Sequence, residues 1–380
     1  MRLRYLAFLG ICVAVAACGR NAAPAVDTAT GERSVARAGS PTPSPSPIPT
    51  STPLFKIVDL APPVDIQNLW TYADFVNDSG TAIGTNPYSA VEYKNGSVVT
   101  LPGIGGAPSV YDGGINASGD MSGTALDPMK VMHAVIWHTD GSMTVLDQGT
   151  SWSNTAGLGI NDAGDVVGYG SPSHDNSHDG FLYAGGQISA LPVPQGEQAN
   201  GTYAISLNNA VVGAGVACCK PNAAAEFTAT SAQIIRPPGA VWSAAAGINT
   251  MGHLAGTFNP TPIKTTTYRP FTFDGKTVHL LPYPTGDSGC YGNAINDSNF
   301  VVVSCLGGSY LYQNGVAANL LNLVPPNSGW TTLDARGISN NCIVVGAGTS
   351  QTGFVHAFEM IPLSGTCPAS LPRLRQANLQ

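Results

Sequence analysis

The chain has 380 residues, of which 10% are charged, with 45 Gly, 29 Pro and a formal net charge of −7. No basic patch interrupts the acidic balance of its body, which argues against nucleic acid as a partner. Gly-x-Ser-x-Gly, a Walker loop and Gly-x-Gly-x-x-Gly after a strand are all absent, so no motif for a nucleophilic hydrolase or a nucleotide binder is present.

At the N-terminus, Arg2 and Arg4 precede an apolar run from Leu6 to Ala17 that is short for a membrane span. Its end, Val15-Ala16-Ala17-Cys18, resembles a bacterial lipobox. That resemblance implies removal of residues 1–17 as a signal peptide and lipid attachment at Cys18. Gly19, with no Asp in that place, looks like an outer-membrane signal. The expectation is an exported lipoprotein of the bacterial cell envelope, its membrane contact made through the lipid. Loss of Arg2 and Arg4 from the 16 basic residues leaves 14 against 23 acidic ones, a formal −9.

Residues 18–53 are rich in Ala, Ser, Thr and Pro, and Pro41 to Pro53 read as a polyproline-type spacer. At about 3.1 Å per residue this stretch reaches roughly 40 Å, enough to hold a folded body off a membrane surface.

From residue 54 to 362 one phrase recurs seven times: an apolar residue, Asn or Ser, a turn, then two mostly apolar residues and usually Gly. The copies begin at Val76-Asn77, Ile115-Asn116, Ile160-Asn161, Ile205-Ser206, Ile248-Asn249, Ile295-Asn296 and Ile338-Ser339, spaced 39 to 47 residues apart. Three residues past each anchor stand Gly80, Gly119, Gly164, Asn209, Gly252, Asn299 and Cys342. Gly and Asn take the left-handed conformation that ends a tight hairpin loop. Cys342 departs from this, and a one-residue shift would give the role to Asn341. Val pairs such as Val166-Val167 suit strands, and the closing glycines (Gly84, Gly123, Gly168, Gly213, Gly256, Gly346) suggest crowding or a bulge. The sixth copy has Val303 instead.

A second hairpin follows each phrase, as in Phe181-Leu182-Tyr183, Gly186 and Leu191. Four strands per repeat at this period read as an all-β, seven-bladed β-propeller. The seventh repeat ends after its third strand, His356 to Ile361, and the missing fourth strand stands at the start, Phe55 to Leu60. Pairing the two closes the ring and removes an exposed edge. Residues 363–380, with Arg373 and Arg375, read as a frayed tail.

Six cysteines follow Cys18, which fits an oxidising compartment. Cys290 and Cys305 flank the sixth hairpin on facing strands and are expected to bridge. Six cysteines allow fifteen pairings, and the other four stay open: Cys342 with Cys367 would pin the tail over the last blade, leaving the vicinal pair Cys218-Cys219, bridged or reduced. The spacings hold no Cys-x-x-Cys and no adjacent His pair, so no metal site is expected.

The Ile-Asn-Asp-x-Gly phrase, Val-Val-Gly after it and the later triplet His356-Ala357-Phe358 resemble the HAF family of bacterial extracellular repeats; His133-Ala134-Val135 is one substitution away. Arg269-Pro270-Phe271 and the fourth repeat depart from the pattern. The resemblance covers Phe55 to Ile361 and implies export and a repeat-built β architecture. It implies no reaction, no cofactor and no catalytic residues.

Aromatics recur ahead of the hairpins: Trp70, Tyr72, Tyr111, Trp152, Tyr203, Trp242, Tyr291 and Trp330. Links between blades emerge on one face, where such rings could stack on a sugar or peptide; sealing adjacent blades is the competing role and the favoured one. His174-Asp175-Asn176-Ser177-His178-Asp179 could bind a transition metal but reads as a solvated loop. The Asn-Asp pairs lack the spaced acids of a calcium loop and read as turn chemistry. Asp74, Asp112 and Asp334 are scattered carboxylates near inner strands. The balance favours a monomeric, non-catalytic binding or surface-interaction scaffold for a glycan or protein. The alternative is an enzyme acting on polysaccharide from the central channel with paired carboxylates. Lipidation is checked by Cys18→Ala, which should move the protein from the membrane fraction to the soluble one.

Overall fold

The computed structural model describes residues 52–60, 70–173, 179–194, 203–208, 213–217, 223–261, 267–282, 287, 289–350 and 353–372, with backbone alone at 203–207 and 213–217. The chain divides after Thr50 into two units, and these residues all belong to the second. The leader, Cys18, nearly all of the linker, His174 to His178, Cys218-Cys219, Arg373 and Arg375 lie outside the described residues.

The fold is all-β, a β-propeller, with two short 3-10 turns among the described residues, at Ile104–Gly106 and Leu320–Asn322. The first strand is β1 (Phe55–Asp59). The first sheet then runs β2 (Tyr72–Val76), β3 (Ala82–Thr85), β4 (Ala90–Lys94) and β5 (Ser97–Thr100). The second holds β6 (Ser109–Ile115), β7 (Met121–Leu126), β8 (Met132–Trp137) and β9 (Met143–Val145). The third holds β10 (Ser153–Ile160), β11 (Val166–Ser171), β12 (Asp179–Ala184) and β13 (Gln187–Ala190). The fourth holds β14 (Tyr203–Leu207), β15 (Gly213–Ala217), β16 (Ala223–Phe227) and β17 (Ala232–Ile235). The fifth holds β18 (Trp242–Ile248), β19 (Leu254–Asn259), β20 (Arg269–Phe273) and β21 (Val278–Leu280). The sixth holds β22 (Tyr291–Ile295), β23 (Val301–Cys305), β24 (Gly308–Gln313) and β25 (Val316–Asn319). The last is β26 (Trp330–Ile338), β27 (Val344–Ser350) and β28 (Val355–Pro362), with β1 as its fourth strand, paired from Phe55↔Pro362 to Asp59↔Phe358. All pairings are antiparallel, and β2 of the first sheet packs on β26, β27 and β28 of the last.

Each anchor Asn works in two directions. Asn77 Oδ1 accepts the N–H groups of Ser79 and Thr81, and Asn296 Oδ1 those of Ser298 and Phe300, which holds the turn shut. Its Nδ2 donates to the backbone carbonyl of the next anchor: Asn77 to Asn116 at 3.1 Å, Asn116 to Asn161 at 3.2 Å, Asn161 to Asn208 at 3.4 Å. The series continues from Asn208 to Asn249 at 3.0 Å, Asn249 to Asn296 at 3.1 Å and Asn296 to Ser339 at 3.0 Å. Ser339 has no amide, and there Asn341 bonds Asp78 through its backbone N–H and its Nδ2. The Asp after the anchor adds links of its own, Ala117 N–H to Asp162 Oδ1 and Thr250 N–H to Asp297 Oδ1, both 2.8 Å.

This pattern corrects the fourth copy. The anchor is Asn208, not Ser206, because Leu207 pairs with Gly213 as Ile160 pairs with Val166. The glycine equivalent to Gly168 is then Gly215, opposite Ala204. Two further expectations change. Cys342 itself holds the left-handed conformation at φ 63°, alongside Gly80, Gly119, Gly164, Gly252 and Asn299, so no shift to Asn341 occurs. The tail is not frayed as far as residue 372: Cys367 is bonded to Cys342, and Leu371 is buried in the core of the last two sheets. The expected disulfide Cys290–Cys305 is present, and of the pairings the sequence leaves open for the other cysteines the structure forms Cys342–Cys367.

The closing glycines sit opposite a β-bulge. In β2 the register shifts between Ala73 and Phe75, and a Cβ on Gly84 would lie 1.9 Å from the carbonyl oxygen of Tyr72. Gly168 faces Ala156 O at the same distance. In the sixth sheet the pairing is Gly292↔Val303, so the small residue has moved to the inner strand.

The His-Ala-Phe triplet also has a physical reading. His356 Nδ1 lies 2.8 Å from Asp59 Oδ2 on β1, and His133 Nδ1 lies 2.9 Å from Asp147 Oδ1. The Ala that follows donates its N–H to a buried hydroxyl of the next sheet: Ala90 to Ser109, Ala134 to Thr155, Ala224 to Ser243 and Ala357 to Thr71. Phe358 fills the core.

On β28 stands Glu359, 8% exposed, with Oε1 unpartnered among the described residues and 2.9 Å from where a Cβ on Gly80 of the first hairpin would sit. Burial pushes its carboxyl up to about 7, eased by the charge of Lys56. A raised native value means the folded state holds this proton more tightly than the unfolded one. Its contribution is therefore full at acid pH and is lost as pH rises from about 4.5 to 7. Urea midpoints measured across that window should fall for the parent and fall less for Glu359→Gln.

Candidate functional site at the inner strands

Three residues before each anchor stands the residue at the bulge of the inner strand: Asp74, Gly113, Leu158, Ile205, Ala246, Asn293 and Arg336. A bulge re-aims the residue it carries, and these seven positions recur once per inner strand. Two of them, on the first and last sheets, are oppositely charged. Arg336 Nη1 donates to Asp74 Oδ1 at 2.6 Å, and Nη2 lies 3.5 Å from Asp334 Oδ2. The guanidinium stacks over the Tyr72 ring at 4.2 Å from its centroid, and Tyr72 in turn lies 5.2 Å from Trp70. The Arg336 side chain is only 8% exposed. Burial opposes its charge, but Asp74 and Asp334 outweigh that and hold it above its ordinary range.

Asp112 reaches the same cluster from the second sheet. Its Oδ2 is sealed from solvent and accepts no N–H or O–H from the described residues. Burial, then the charge of Asp74 and a hydrogen bond with it, holds the Asp112 carboxyl well above its ordinary value. A protonated Asp112 is a donor, and Asp74 is the acceptor beside it. The group therefore reads as one strut across three sheets: Arg336 cation, Asp74 carboxylate, Asp112 acid.

This contact pair differs from the carboxyls about 5–10 Å apart that flank a glycosidic bond. Of the three carboxylates singled out in the sequence, Asp74 and Asp112 meet, and Asp334 stays largely exposed beside Arg336. Arg336 was missed. Aligning the repeats on their anchors puts it at the same position as Asp74, which is the sequence signal that could have found it.

The aromatics divide. Trp152 is 8% exposed and edge-on to Phe181. Trp330 packs against Phe358, while Trp242 and Tyr291 flank Tyr268. Those residues seal sheets. Trp70 and Tyr111 are 43% and 54% exposed. The side chain of Tyr203 lies outside the described residues. No group of three or more His, Cys, Asp or Glu that could hold a metal occurs among the described residues.

The two ends of the sheets differ. The hairpins that carry the asparagine series span the same six-residue step, from Val76↔Ala82 to Ile338↔Val344. The opposite end holds the connectors within sheets from second to third strand and the links between sheets. Six exposed large apolar residues lie at or near that end: Trp70, Tyr88, Tyr111, Met129, Val193 and Leu306. Met251 and Leu363 are the two at the hairpin end.

No known protein family matches the chain, and no curated protein does. Solved structures show likeness in fold alone. The β-propeller domain of the Trilobed protease from Pyrococcus furiosus, described as having an open velcro topology, is 11% identical, with 80% of this chain and 99% of that one covered at a TM-score of 0.49. YCF48 bound to D1 peptide is 10% identical, covering 80% and 84% at 0.36. An acylaminoacyl peptidase in complex with a chloromethyl ketone is 11% identical, covering 73% and 50% at 0.41.

Removing one partner of the buried pair leaves the other charge unpaired. Arg336→Leu should cost about 3–5 kcal/mol of stability, while Asp112→Asn, which keeps a donor toward Asp74, should cost under about 1 kcal/mol; urea denaturation reads both.

Proposed function

We propose that the chain is an exported, lipid-anchored, seven-bladed propeller, closed by β1 in the last sheet, that acts as a non-catalytic binding scaffold. The observation that carries this reading is the gathering of Trp70, Tyr88, Tyr111, Met129, Val193 and Leu306 at the end opposite the asparagine series. Exposed apolar groups grouped on one face mark interaction sites more often than scattered ones do. Binding residues concentrate on connectors held by a rigid scaffold. Seven four-stranded sheets and the β1–β28 pairing support the blade count and the closure. Two disulfides support an oxidising compartment, and the lipobox-like sequence at Cys18 supports the anchor. The ligand is a glycan or a protein segment, and the chain works as a monomer.

The second reading, an enzyme acting on polysaccharide, rests on the Asp74–Asp112 pair. Its cost is that Asp74 is committed to Arg336 and Asp112 Oδ2 is sealed.

A glycan and peptide array separates the readings. The scaffold reading expects a ligand bound without turnover, with Trp70→Ala plus Tyr111→Ala weakening it at least tenfold and leaving the fold intact. Release of shortened product, abolished by Asp112→Asn, would favour the enzyme. Unchanged affinity in the double variant would remove the loop end as the binding face.

A further inference from the structure

The third strand of each sheet has one position paired with the residue before the closing glycine (before Val303 in the sixth sheet). It is an acid in three sheets, Glu92, Glu226 and Glu359, and uncharged in the other four. Two of the acids reach beneath the next hairpin: Glu226 Oε1 is 4.0 Å from where a Cβ on Gly252 would sit, and Glu359 Oε1 2.9 Å from one on Gly80. The three differ in what meets the charge. The Glu92 side chain is 21% exposed, with Lys94 Nζ at 3.9 Å, and Glu226 accepts from Gln233 Nε2. Glu359 is buried, and its Oε1 has no such partner.

The seam that holds Glu359, between the last sheet and the first, is also joined differently from the others. Its anchor, Ser339, lacks the amide that bonds the next hairpin elsewhere, and Asn341 N–H to Asp78 Oδ1 at 2.8 Å stands in for it. Toward the other end Ala357 N–H meets Thr71 Oγ1 at 2.8 Å, and Arg336 meets Asp74 on the inner strands. The core of the seam is apolar, with Val76 and Ala82 on one side and Ile343, Val345 and Ala357 on the other. Glu359 shares the face of Ala357, since side chains two apart on a strand point the same way.

The charged groups around it are already committed, with one exception. On β1, Asp59 is taken by His356, which stands on the opposite face of β28. β27 carries no titratable group. On β2 and β26, Asp74 and Asp334 both face Arg336, and Tyr72 lies under its guanidinium. In the first hairpin Asp78 accepts from Asn341. Tyr93 of β4, in the seam core, has its phenol held above the ordinary range by burial. Lys56 of β1 is the cation whose field reaches Glu359.

Burial outweighs Lys56 and pushes the Glu359 carboxyl up to about 7. A raised value in the closed seam means that the closed seam favours the proton, so ionisation favours an open seam in which the carboxylate meets water. We propose that Glu359 is a proton-operated clasp: neutral, it lets the first hairpin seat on β28, and ionised, it loosens the contact of the last sheet with the first while the other seams hold. The clasp acts locally, and it does not depend on what the loop end binds.

Native-state hydrogen exchange of the mature full-length chain, followed by NMR between pH 5 and pH 8, tests this. Each rate is divided by the intrinsic rate of an unprotected amide at the same pH. Ala357 and Asn341 N–H bond across the clasp seam, and Ala134 and Ala117 N–H make the equivalent bonds between the second and third sheets. Protection of Ala357 and Asn341 should fall at least about tenfold as pH rises, the size of one pKa unit, while that of Ala134 and Ala117 stays within about threefold. Glu359→Gln should hold all four level. Lys56→Met should move the fall to higher pH, and it decides if the Gln variant does not fold. Absence of a fall, an equal fall at all four amides, a fall that persists in the folded Gln variant, or an unmoved fall in Lys56→Met overturns the proposal.

Discussion

The asparagine series is the constraint on which the rest of the molecule depends. Each anchor is almost fully buried, from 2% exposed at Asn296 to 7% at Asn77, and a buried primary amide must find partners for both its oxygen and its nitrogen. The oxygen finds them in its own turn, the nitrogen in the next hairpin's carbonyl. One side chain thereby sets local turn geometry and sheet-to-sheet spacing together. A single such bond contributes about 0.5–1.5 kcal/mol net, but leaving the amide unpaired costs about 1–3, so the penalty for a misplaced hairpin exceeds the gain from a correct one. That asymmetry explains why the six-residue hairpin step recurs while the connectors at the other end vary.

The inner strands follow from the same frame. With the hairpin pinned, a bulge lies three residues upstream, and in most sheets the residue opposite it is glycine: Gly84, Gly168, Gly256 and Gly346 each meet a backbone oxygen within 2.4 Å of an added Cβ. The bulge then aims one side chain per sheet. At five of these positions the residue is uncharged, and at two it is Asp74 and Arg336. Each charge of that pair is compensated by the other and Tyr72 covers the guanidinium, so loss of either partner would leave a buried charge unpaired. Asp112 joins as a neutral acid because a third charge in so enclosed a place would go uncompensated.

Regularity at one end leaves the other end free to differ. The apolar residues there do not fill a core; they stand on connectors whose positions are held by sheets that do. The disulfide Cys290–Cys305 fixes the base of one connector, the one that carries Leu306.

Much of the architecture was legible in the chain itself. Hairpin turns announce themselves because few residues tolerate positive φ, so Gly80, Gly119, Gly164, Gly252 and Asn299 mark them; the Phe55–Asp59 strand follows from strand counting and the Cys290–Cys305 pair from placement about the sixth hairpin, while the pairing of Cys342 with Cys367 needed the structure. The fourth repeat was misread because Ser206 satisfies the local pattern, and only the bond from Asn161 and the bond onward to Asn249 identify Asn208 as the anchor. Trp152 and Trp70 occupy similar places in the sequence, yet one is sealed against Phe181 and the other exposed. Asp74 and Arg336 are 262 residues apart. The sequence by itself determined what is local: turn conformation, strand alternation, repeat length. The tertiary structure decided what depends on neighbours distant along the chain, namely which aromatics are covered and which charges meet. These are set by packing between sheets, to which a pattern read along one strand is blind.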